Sequence, residues 1–458
     1  MFRLMFSDCI EPLNAQLSGD DLQLNSFSTD TRTLNSGDIY IALQGENFDG
    51  HDYIEQAAEL GAAGFVVNKP VNTNKPCLQV ANTLLALQQL SSLWARGHQV
   101  PTIAITGSNG KTTVKELIAA ILRQLGPVLA TEGNLNNEIG VPLTLLKLRQ
   151  AHQYAVIEMG ANHPGEIKVL SRLASPDVAV ITNTEAAHLE GFGSLLEIAK
   201  AKSEIFSGLE DDGWAVLYAD DVRADILETA ASEFRICTFG KSEDADVHAG
   251  RGDGFRVEGV GDAFDISFSL LGDHNRVNAL AAIAAVQCLD AQSDTIQAGL
   301  ASVRPVARRL EQKPGAAGST LIDDSYNANP ASVRAGIDVL ANIEGKRILI
   351  LGDMLELGDE SVQLHKSVGL YAKRKKIDAV WTVGSLAQHA SSASSCGRHF
   401  ASQEDLLENL LPELDVKTSV LLKGSRGARM DRLVDALLAN EPPVLNTRVN
   451  DVVPGVVI

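Results

Sequence analysis

A lysine and two threonines follow a glycine-containing turn in the segment TGSNGKTTVKE, residues 106–116. Backbone N–H groups of such a turn can bind phosphate oxygens, Lys111 can reach terminal phosphates, and the hydroxyl of Thr112 can ligate Mg²⁺. The usual phosphate-binding loop reads G-x-x-x-x-G-K-[ST], but Ile105 stands where its first glycine is expected, and the nearest earlier glycine is Gly107. The segment is therefore either a shortened phosphate loop or a plain glycine turn.

The elements that flank this segment favour a phosphate loop. The run PTIAIT at 101–106 is typical of a short buried strand, and apolar residues recur at helical spacing between Val114 and Leu125. A helix that begins at the turn presents unpaired N–H groups and the positive end of its dipole to an anion. We therefore predict a nucleotide site at this strand–turn–helix corner.

Two potential metal ligands follow neighbouring strands of the same predicted sheet. Glu158 ends the apolar run AVIE, and His188 follows the strand DVAVITN. Ligands gather outside the carboxyl ends of parallel strands, so both side chains should lie near the phosphate loop. Each also has an ordinary structural interpretation, Glu158 as a helix-capping or ion-paired acid and His188 as a loop residue. Together, beside a phosphate loop, they predict a metal site.

Lys202 lies on the apolar side of the predicted helix SLLEIAKAKSEIFSGL, residues 194–209, whereas Lys200 projects towards solvent. The apolar residues that project to the side of Lys202, at 100° per residue, are Leu195, Ile198, Ile205, Phe206 and Leu209. Snorkelling of the ammonium past this stripe to water is the common outcome. Burial would instead lower the pKa of the lysine. Its neutral amine could then react with CO₂ to give a carbamate, an oxygen ligand for Mg²⁺.

Two polar clusters occur later in the chain. The segment LLGDHNRVNALAAIAAV places Asn275 and Asn278 on one helix face, where they could hydrogen-bond a base edge, and helix capping by Asn275 is the alternative. The segment LIDDSYNANP ends a strand with Asp323 and Asp324 and continues to Tyr326. A turn explains its asparagines and proline. The adjacent acids and the tyrosine suit contacts with a ribose and a substrate.

Length, charge and cysteine usage narrow the class of protein. A chain of 458 residues has room for about two to four domains. The formal net charge of −19, without a basic stripe, argues against a nucleic-acid partner. The five cysteines form no C-x-x-C pair, which indicates reduced thiols in a cytosolic protein. Because no signal peptide or membrane span is predicted, we expect a cytoplasmic location.

The order of strand and helix patterns predicts an α/β protein of three domains. Residues 1–82 form a small N-terminal α/β domain, and residues 83–313 form a doubly wound, mostly parallel sheet that carries the phosphate loop. The linker-like run EQKPGAAGS at 311–319 leads into a Rossmann-like third domain, residues 314–458. No G-x-G-x-x-G fingerprint follows its strands, so no dinucleotide is assigned there.

In this order, the motifs TGSNGKTT, EMGA, NTEAAH, AKAKSE, LLGDHNRVNALAA and DDSYNANP resemble those of the Mur ligases of peptidoglycan synthesis. The resemblance covers nearly the whole chain, and the ordered set is far more specific than its short pieces. Mur ligases use a shortened G-x-x-G-K-[ST] loop, which residues 107–112 match. Within the family, YNANP and LGDMLELG resemble the ligases that add D-alanyl-D-alanine to UDP-N-acetylmuramoyl-tripeptide.

The resemblance implies a role for each matching residue, with Lys111, His188 and Lys202 as the catalytic ones. Thr112 and Glu158 should bind one Mg²⁺, and His188 with a carbamylated Lys202 should bind a second. The residues expected to bind ATP are Gly107, Ser108, Asn109, Gly110, Lys111, Thr112 and Thr113 at the phosphates, Asn275 and Asn278 at adenine, Asp324 at the ribose, and Arg309. The residues expected to bind the other substrates are Ser28, Thr31, Arg32, Asp49 and His51 for the UDP-sugar, Asn137 near the reacting phosphate, and Tyr326 and Asn329.

Two of these assignments leave a choice of register. Arg308 stands where the family usually has glycine, so either Arg308 or Arg309 could be the arginine that reaches the phosphates. In GNLNNEIGVP, Asn134 and Asn136 compete with Asn137. The resemblance assigns the UDP-sugar to the first domain, ATP to the central domain, and part of the ATP and D-alanyl-D-alanine contacts to the third.

The reaction implied by the resemblance is amide-bond formation driven by ATP through an acyl phosphate. We expect two Mg²⁺ ions, the CO₂-derived carbamate and a monomer. The alternatives are a sibling ligase that adds the third peptide residue, a folylpolyglutamate-type ligase, and a nucleotide-binding regulatory module that makes no bond. The run SYNANP favours the ligase that adds D-alanyl-D-alanine, because the sibling ligases carry a Tyr-Ala-His run there.

Overall fold

The computed structural model describes residues 2–186, 189–250, 254–259 and 261–439, which form β-sheets flanked by helices. The predicted α/β class is confirmed, because the sheets of five, nine and six strands are mainly parallel and helices connect their strands. In the described part of the chain, no helix is both long and apolar enough to cross a membrane.

The N-terminal region holds a five-stranded sheet and a small antiparallel ribbon. Its strands are β1 (Leu4–Met5), β2 (Gln16–Ser18), β3 (Gln23–Leu24), β4 (Phe27–Ser28), β5 (Ile39–Ile41), β6 (Gly64–Val67) and β7 (Cys77–Gln79). Its helices are α1 (Ile10–Leu13), α2 (Ile54–Glu59) and α3 (Thr83–His98). The sheet has the order β2-β7-β6-β5-β4 and is parallel except at β2, while β1 and β3 form the ribbon.

Helix α3 joins this region to the next one through a continuous apolar core. The side chain of Asn82 accepts a hydrogen bond from the N–H of Leu85 and so caps the helix. Further along α3, Trp94 is buried and its Nε1 donates to the carbonyl of Leu148 at 3.0 Å. One hydrophobic cluster runs from the N-terminal sheet through α3 to the strands of the central sheet. The first two regions therefore share a core.

The central region is built on a nine-stranded sheet. Its strands are β8 (Thr102–Thr106), β9 (Val128–Ala130), β10 (Tyr154–Glu158), β11 (Val178–Ile181), β12 (Trp214–Tyr218), β13 (Arg235–Gly240), β14 (Val247–Ala249), β15 (Arg256–Gly259) and β16 (Phe264–Asp265). Its helices are α4 (Lys111–Leu122), α5 (Gly140–Leu145), α6 (Glu166–Ala174), α7 (Leu189–Phe192), α8 (Leu195–Ser203), α9 (Ala224–Ala230), α10 (Asp273–Gln287) and α11 (Ser293–Ser302). The strand order is β16-β15-β14-β13-β12-β11-β8-β10-β9.

The register of this sheet brings the predicted site residues to one edge. Strands β8 to β14 are parallel, and only the β14-β15-β16 end is antiparallel. Ile105 of β8 pairs with Glu158 of β10, and Thr106 pairs with Ile181 of β11. The carboxyl ends of β8, β10 and β11 are therefore level. The turn that follows β8 consequently lies beside Glu158, as the sequence predicted.

The third region has a six-stranded sheet with an apolar layer on each face. Its strands are β17 (Glu311–Pro314), β18 (Thr320–Asp324), β19 (Lys346–Leu351), β20 (Ala379–Val383), β21 (Gly397–Phe400) and β22 (Thr418–Lys423). Its helices are α12 (Pro330–Ala341), α13 (Ser361–Arg374), α14 (Gln388–Ser394), α15 (Gln403–Leu410) and α16 (Met430–Ala439). The order is β17-β18-β22-β19-β20-β21, parallel except at β17. Ile348 and Ile350 pack on one face, and Leu349 and Leu351 on the other.

Three local predictions differ from the structure. The linker-like run at 311–319 contains β17, because its backbone pairs antiparallel with β18 and adds an edge strand where Pro314 is tolerated. The predicted helix 194–209 is α-helical only to Ser203 and continues as a 3-10 helix from Glu204 to Gly208. Leu195, expected on the apolar face, is 37% exposed, because it lies at the first position of α8.

Candidate active site

The turn after β8 is a tight loop in which two glycines are required. Gly107 and Gly110 have φ of 147° and 82°, in the region that L side chains rarely adopt. A Cβ on Gly107 would collide with Oγ1 of Thr182, and one on Gly110 would collide with Oδ1 of Asn278. The close approach of these neighbours explains the glycine spacing, and the turn leads directly into α4 at Lys111.

Polar contacts from the segment after β11 hold this loop in place. The N–H of Ser108 donates to the carbonyl of Asn183 at 3.0 Å, and the N–H of Asn109 donates to Oδ1 of Asn183 at 3.0 Å. Oγ of Ser108 donates to the carbonyl of Glu185 at 2.6 Å, and Nδ2 of Asn109 donates to the Glu185 carboxylate at 2.7 Å. Asn183 and Glu185 were not predicted as site residues, although both follow β11 at the predicted ligand edge.

Lys111 folds back over the loop that precedes it. Its Nζ donates to the carbonyl of Gly107 at 2.7 Å, and no carboxylate pairs with it among the described residues. Burial lowers the pKa of Lys111, an effect that Glu158 opposes and Arg309 increases. An ammonium held by carbonyl oxygens at the N-terminus of α4 can turn to a phosphate without breaking an ion pair.

Glu158 is buried at the end of β10 and holds a hydroxyl and an amide. Oγ1 of Thr112 donates to its Oε2 at 2.8 Å, and Nδ2 of Asn136 donates to its Oε1 at 2.9 Å. Its backbone N–H donates to Oγ1 of Thr131 at 2.9 Å. The structure thus brings the predicted ligands Thr112 and Glu158 together, and Asn136 orients the carboxylate.

These oxygens fit a Mg²⁺ ion that is shared with a polyphosphate. Mg²⁺ prefers hard oxygen ligands and is usually held by one or two carboxylates, water and substrate phosphates. The described residues contain no group of three or more His, Cys, Asp or Glu side chains that could hold a metal alone. Thr112 and Glu158 supply a partial set of the expected kind. His188, the predicted ligand of a second ion, lies outside the described residues.

Lys202 is buried and Lys200 is not, as the helical phase predicted. Lys202 is 2% exposed, and its Nζ lies 5.2 Å from the centre of the Phe192 ring. The side chain of Lys200 is 56% exposed and pairs with Glu197 at 2.8 Å. Burial, and secondarily the charge of Lys111, lowers the pKa of Lys202 to about 7. Snorkelling is therefore excluded, and the amine is half neutral near physiological pH.

The two predicted asparagines of α10 face the cleft as a bonded pair. Nδ2 of Asn278 donates to Oδ1 of Asn275 at 2.9 Å, and Nδ2 of Asn275 donates to the carbonyl of Leu271 at 2.7 Å. Helix α10 begins at Asp273 with Gly272 as its N-cap, so Asn275 lies inside the first turn and is not the cap. Both asparagines are buried and line the cleft.

Residues of the third region complete the opposite wall. Nη2 of Arg309 donates to Oγ1 of Thr112 at 2.9 Å, and the Arg309 guanidinium lies 4.2 Å from the centre of the Tyr326 ring. Nδ2 of Asn329 donates to Oδ1 of Asn109 at 2.7 Å, while its own Oδ1 caps α12. The predicted residues Arg309, Tyr326 and Asn329 are thus brought to the phosphate loop.

The two candidate arginines have different surroundings. Arg309 reaches the phosphate loop, whereas Nη1 of Arg308 bonds the carboxylate of Asp431 at 3.1 Å. Arg308 has φ of 62°, a conformation that favours glycine. This backbone conformation explains why the resemblance leads us to expect glycine at this position. The geometry therefore favours Arg309 as the phosphate ligand.

Asp324 and Asn137 line the cleft but are engaged in internal contacts. Oδ2 of Asp324 accepts a hydrogen bond from Nζ of Lys423 at 2.6 Å, the partner that strand register places beside it. Oδ1 of Asn137 accepts from the N–H of Gly140 at 2.9 Å. Lys423 was missed in the sequence, although a lysine that ends the apolar strand SVLLK is a signal of the same type as Glu158.

The five residues predicted to bind the UDP-sugar lie in the N-terminal region and do not line the cleft. Ser28 ends β4, where its Oγ donates to the carbonyl of Asp30 at 2.9 Å, and Arg32 pairs with the Asp30 carboxylate. Thr31 donates its hydroxyl to the side chain of Gln56 at 3.3 Å. All of these contacts are made within the N-terminal region, and a sugar-nucleotide surface there stays a prediction.

Asp49 and His51 form a second polar group of this region. Although burial alone would raise it, the pKa of Asp49 is held well below its usual range by hydrogen bonds from Lys69 and His51. Nδ1 of His51 lies 2.5 Å from Oδ1 of Asp49, and its Nε2 accepts from the N–H of Asn68 at 3.2 Å. Asp49 therefore stays ionised beside Lys69.

A cleft of about 1180 Å³ unites most of the remaining predicted residues, although Gly107 and the buried Lys202 are not part of its lining. It lies between the central and third regions and is lined by the phosphate loop from Ser108 onwards, by Glu158 and by the α10 asparagines. Its volume exceeds that of a typical pocket for one small molecule, about 300–1,000 Å³. It has room for a nucleotide together with the reacting ends of other substrates.

Three family models match the chain. They are described as Mur ligase family, catalytic domain (residues 24–113), Mur ligase middle domain (105–286), and Mur ligase, glutamate ligase domain (308–426). The chain is 43% identical over 452 residues to the UDP-N-acetylmuramoyl-tripeptide–D-alanyl-D-alanine ligase of Escherichia coli strain K12, with 96% of this chain and 99% of the relative covered.

Two solved structures are similar over nearly the same length. The crystal structure of MurF from Acinetobacter baumannii has a TM-score of 0.90 and 34% identity, and the match covers 95% of this chain and 99% of that one. The crystal structure of MurF ligase from Thermotoga maritima in complex with ADP has a TM-score of 0.82 and 28% identity, covering 91% and 97%.

Proposed function

We infer the reaction from the fact that this chain belongs to the Mur ligase family, and we propose that it joins D-alanyl-D-alanine to UDP-N-acetylmuramoyl-tripeptide using ATP. It is thus an ATP-dependent ligase of peptidoglycan precursor synthesis, which gives UDP-N-acetylmuramoyl-pentapeptide, ADP and phosphate. The observation that carries the proposal is the 2.9 Å hydrogen bond from Arg309 to Thr112. It sets a guanidinium beside the Thr112–Glu158 pair, where a γ-phosphate and its metal would meet.

The proposed chemistry has two steps. A carboxylate oxygen of the tripeptide attacks the γ-phosphorus, the bond from that phosphorus to the bridging oxygen breaks, and ADP leaves an acyl phosphate behind. The amine of D-alanyl-D-alanine then attacks the acyl carbon, the carbon–oxygen bond to phosphate breaks, and the amine loses a proton. The products are an amide, ADP and inorganic phosphate.

The cations of the cleft make the first step possible. At about 4 Å, two like unit charges repel by roughly 4 kcal/mol at an effective dielectric constant of 20, so the carboxylate and the polyphosphate need compensating charge. Lys111 and Arg309 supply it from the two sides of the phosphate loop, because both reach that loop and neither is paired with a carboxylate among the described residues. Positioned charges of this kind are the main source of catalysis in phosphoryl transfer.

Residues present in the cleft would hold Mg²⁺ and the nucleoside. Glu158 and Thr112 would ligate one Mg²⁺, which when bound would neutralise charge on the phosphate oxygens. Asn275 and Asn278 would contact adenine, and Asp324 the ribose. These roles draw support from burial and from the location of all five side chains on the cleft wall.

Lys202 is proposed to carry the carbamate that, with His188, holds a second Mg²⁺. A free ammonium would repel the metal, whereas a carbamate supplies the hard oxygen that Mg²⁺ prefers. The support is the burial of Lys202, which lowers its pKa to about 7 and so leaves about half of the amine neutral at pH 7. Lys202→Ala should be nearly inactive and partly restored by a short-chain carboxylic acid, whereas Lys200→Ala should keep its activity. An active Lys202→Ala enzyme would contradict the carbamate.

The remaining assignments concern the other substrates and the cell compartment. We propose that Ser28, Thr31, Arg32, Asp49 and His51 bind the UDP-sugar, and that Asn137, Tyr326 and Asn329 approach the reacting groups. All substrates are soluble nucleotides or peptides, so a cytoplasmic site of action is proposed. The five cysteines are free thiols in the structure, which agrees with a reducing compartment.

The decisive experiment measures phosphate release from ATP in the presence of UDP-N-acetylmuramoyl-tripeptide. D-alanyl-D-alanine, single amino acids and glutamate are offered in turn as the amine. Stimulation by the dipeptide alone is expected. Stimulation by glutamate or by another amino acid, without any by the dipeptide, would favour a sibling or folylpolyglutamate-type ligase and would overturn the assignment.

A further inference from the structure

Arg426 is a cleft-lining cation that the proposed mechanism leaves unused. It begins the short 3-10 helix Arg426–Ala428 directly after β22. Between residues 320 and 439, the cationic side chains that line the cleft are Lys375, Lys423 and Arg426. Lys375 pairs with Asp338 at 2.6 Å and Lys423 with Asp324 at 2.6 Å. Within the described chain, the Arg426 guanidinium has neither a hydrogen bond nor an ion pair.

The residue before it fixes the position of Arg426 in the third region. Oγ of Ser425 donates to the carbonyl of Ala328 at 3.1 Å and accepts from the N–H of Leu355 at 2.9 Å. The backbone N–H of Ser425 donates to the carbonyl of Asp353 at 2.9 Å. A buried serine thus ties the end of β22 to two neighbouring loops, and the arginine that follows projects from a rigid base.

The same contacts connect Arg426 to the reacting end of the cleft. Ala328 precedes Asn329, whose side chain donates to Asn109 of the phosphate loop at 2.7 Å. Arg426 therefore lines the wall that the third region contributes to the cleft, and the phosphate loop lines the same cleft. It lies on the third region, whereas Lys111 lies on the central one.

We propose that Arg426 binds the free carboxylate of the dipeptide and thereby selects a dipeptide over a single amino acid. The inference rests on the proposed function. The amine of the dipeptide must reach the acyl carbon while its other end keeps a negative charge. A guanidinium meets a carboxylate with two parallel hydrogen bonds. Two extended residues span roughly 7 Å, whereas an amino acid carries both groups on one carbon.

The surroundings of Arg426 suit a substrate with small apolar side chains. Leu355 is 41% exposed on the cleft wall, and Ala328 lies beneath the end of β22. A Cβ on Gly427 would approach Cδ1 of Leu355 to 2.8 Å, so a side chain there would displace Leu355. The site therefore combines one unpaired guanidinium with an apolar wall that methyl groups can contact.

The test is steady-state kinetics of Arg426→Ala, Arg426→Lys and the control Arg432→Ala. Arg432 is exposed on α16 and does not line the cleft. Arg426→Ala should raise the KM for D-alanyl-D-alanine on the order of 10- to 100-fold, the factor that corresponds to lost hydrogen bonds with a charged group. Arg426→Lys should have a KM for D-alanyl-D-alanine between those of the wild type and Arg426→Ala. In both variants kcat at saturation and the KM values for both nucleotides should stay unchanged.

A second measurement uses the dipeptide amide, D-alanyl-D-alaninamide, which lacks the carboxylate. Wild type should discriminate strongly against the amide, and Arg426→Ala should treat both dipeptides nearly alike. Unchanged discrimination in the variant, or a higher KM for ATP or UDP-N-acetylmuramoyl-tripeptide, would overturn the inference. A wild-type enzyme that the dipeptide does not stimulate would instead refute the proposed function, so the two failures are distinguishable.

Discussion

Replacement of Lys202 by methionine should stabilise the folded protein at neutral and acidic pH, and the gain should vanish at high pH. Burial lowers the pKa of this lysine from 10.5 to about 7, while the unfolded chain keeps the ordinary value. Each pH unit between the two values corresponds to about 1.4 kcal/mol, so the buried amine destabilises the fold by roughly 5 kcal/mol below pH 7. Loss of the contact between the Lys202 ammonium and the Phe192 ring, at 5.2 Å, should reduce the gain in stability of Lys202→Met by about 1 kcal/mol.

The pH window follows from the sign of the pKa change. Below pH 7 both the folded and unfolded states hold the proton, and the folded state carries the full penalty. Between pH 7 and 10.5 only the unfolded state holds it, so the free energy of unfolding of the wild type rises with pH. Above 10.5 the penalty is gone. Methionine has no charge and similar length, so its advantage should shrink from pH 6 to pH 10.

The assay is urea unfolding followed by tryptophan fluorescence at pH 6, 8 and 10, in buffers free of CO₂ because a carbamate would remove the ammonium. Lys200→Met is the matched control. Its side chain is exposed and paired only at the surface, so it should change stability by less than about 0.5 kcal/mol. Equal effects of the two substitutions, or a gain for Lys202→Met that is the same at pH 6 and pH 10, would refute the argument from burial.

Three further predictions concern the phosphate loop and its neighbours. Lys111→Ala should abolish ligation with the unfolding transition unchanged, and wild-type turnover would argue against a nucleotide site. Glu158→Gln should lower activity and shift the Mg²⁺ titration to higher concentrations, since an amide is a weaker ligand than a carboxylate; an unmoved titration would make Glu158 structural. Arg309→Ala should lower kcat on the order of 100-fold, as expected for lost charge stabilisation, whereas Arg308→Ala should leave kcat within a factor of about 2; the reverse order would exchange the two roles.

The parts of the site that sequence could predict are those fixed by local periodicity. The strand–turn–helix corner places Lys111 at the start of α4, and the helical phase places Lys202 inside and Lys200 outside. Glu158 was found because it ends an apolar strand beside that corner. Each of these inferences needs only the repeat of one element and the rule that ligands gather at carboxyl ends of parallel strands.

Contacts between distant segments could not be predicted from such patterns. The bonds from Asn136 to Glu158, from Arg309 to Thr112 and from Asn329 to Asn109 depend on how separate elements pack. Sequence left Asn134, Asn136 and Asn137 open because a turn rich in asparagine has no period. The Lys, Pro and Gly of residues 311–319 predict a linker because they are loop residues, and only pairing with β18 makes β17 a strand.

The shared core of the first two regions has a mechanical consequence. One apolar cluster spans both of them, whereas the clusters around the third sheet are separate and, apart from a contact by Leu271, come from residues beyond 309. Polar contacts also cross the cleft, such as the hydrogen bond from the N–H of Glu190 to the carbonyl of Glu356 at 3.4 Å. Because the clusters are separate, we expect the chain to move as two stiff pieces about a joint near residues 303–308. The proposed sugar-nucleotide surface and the phosphate loop would then move together, and the third region would carry the proposed dipeptide site towards them.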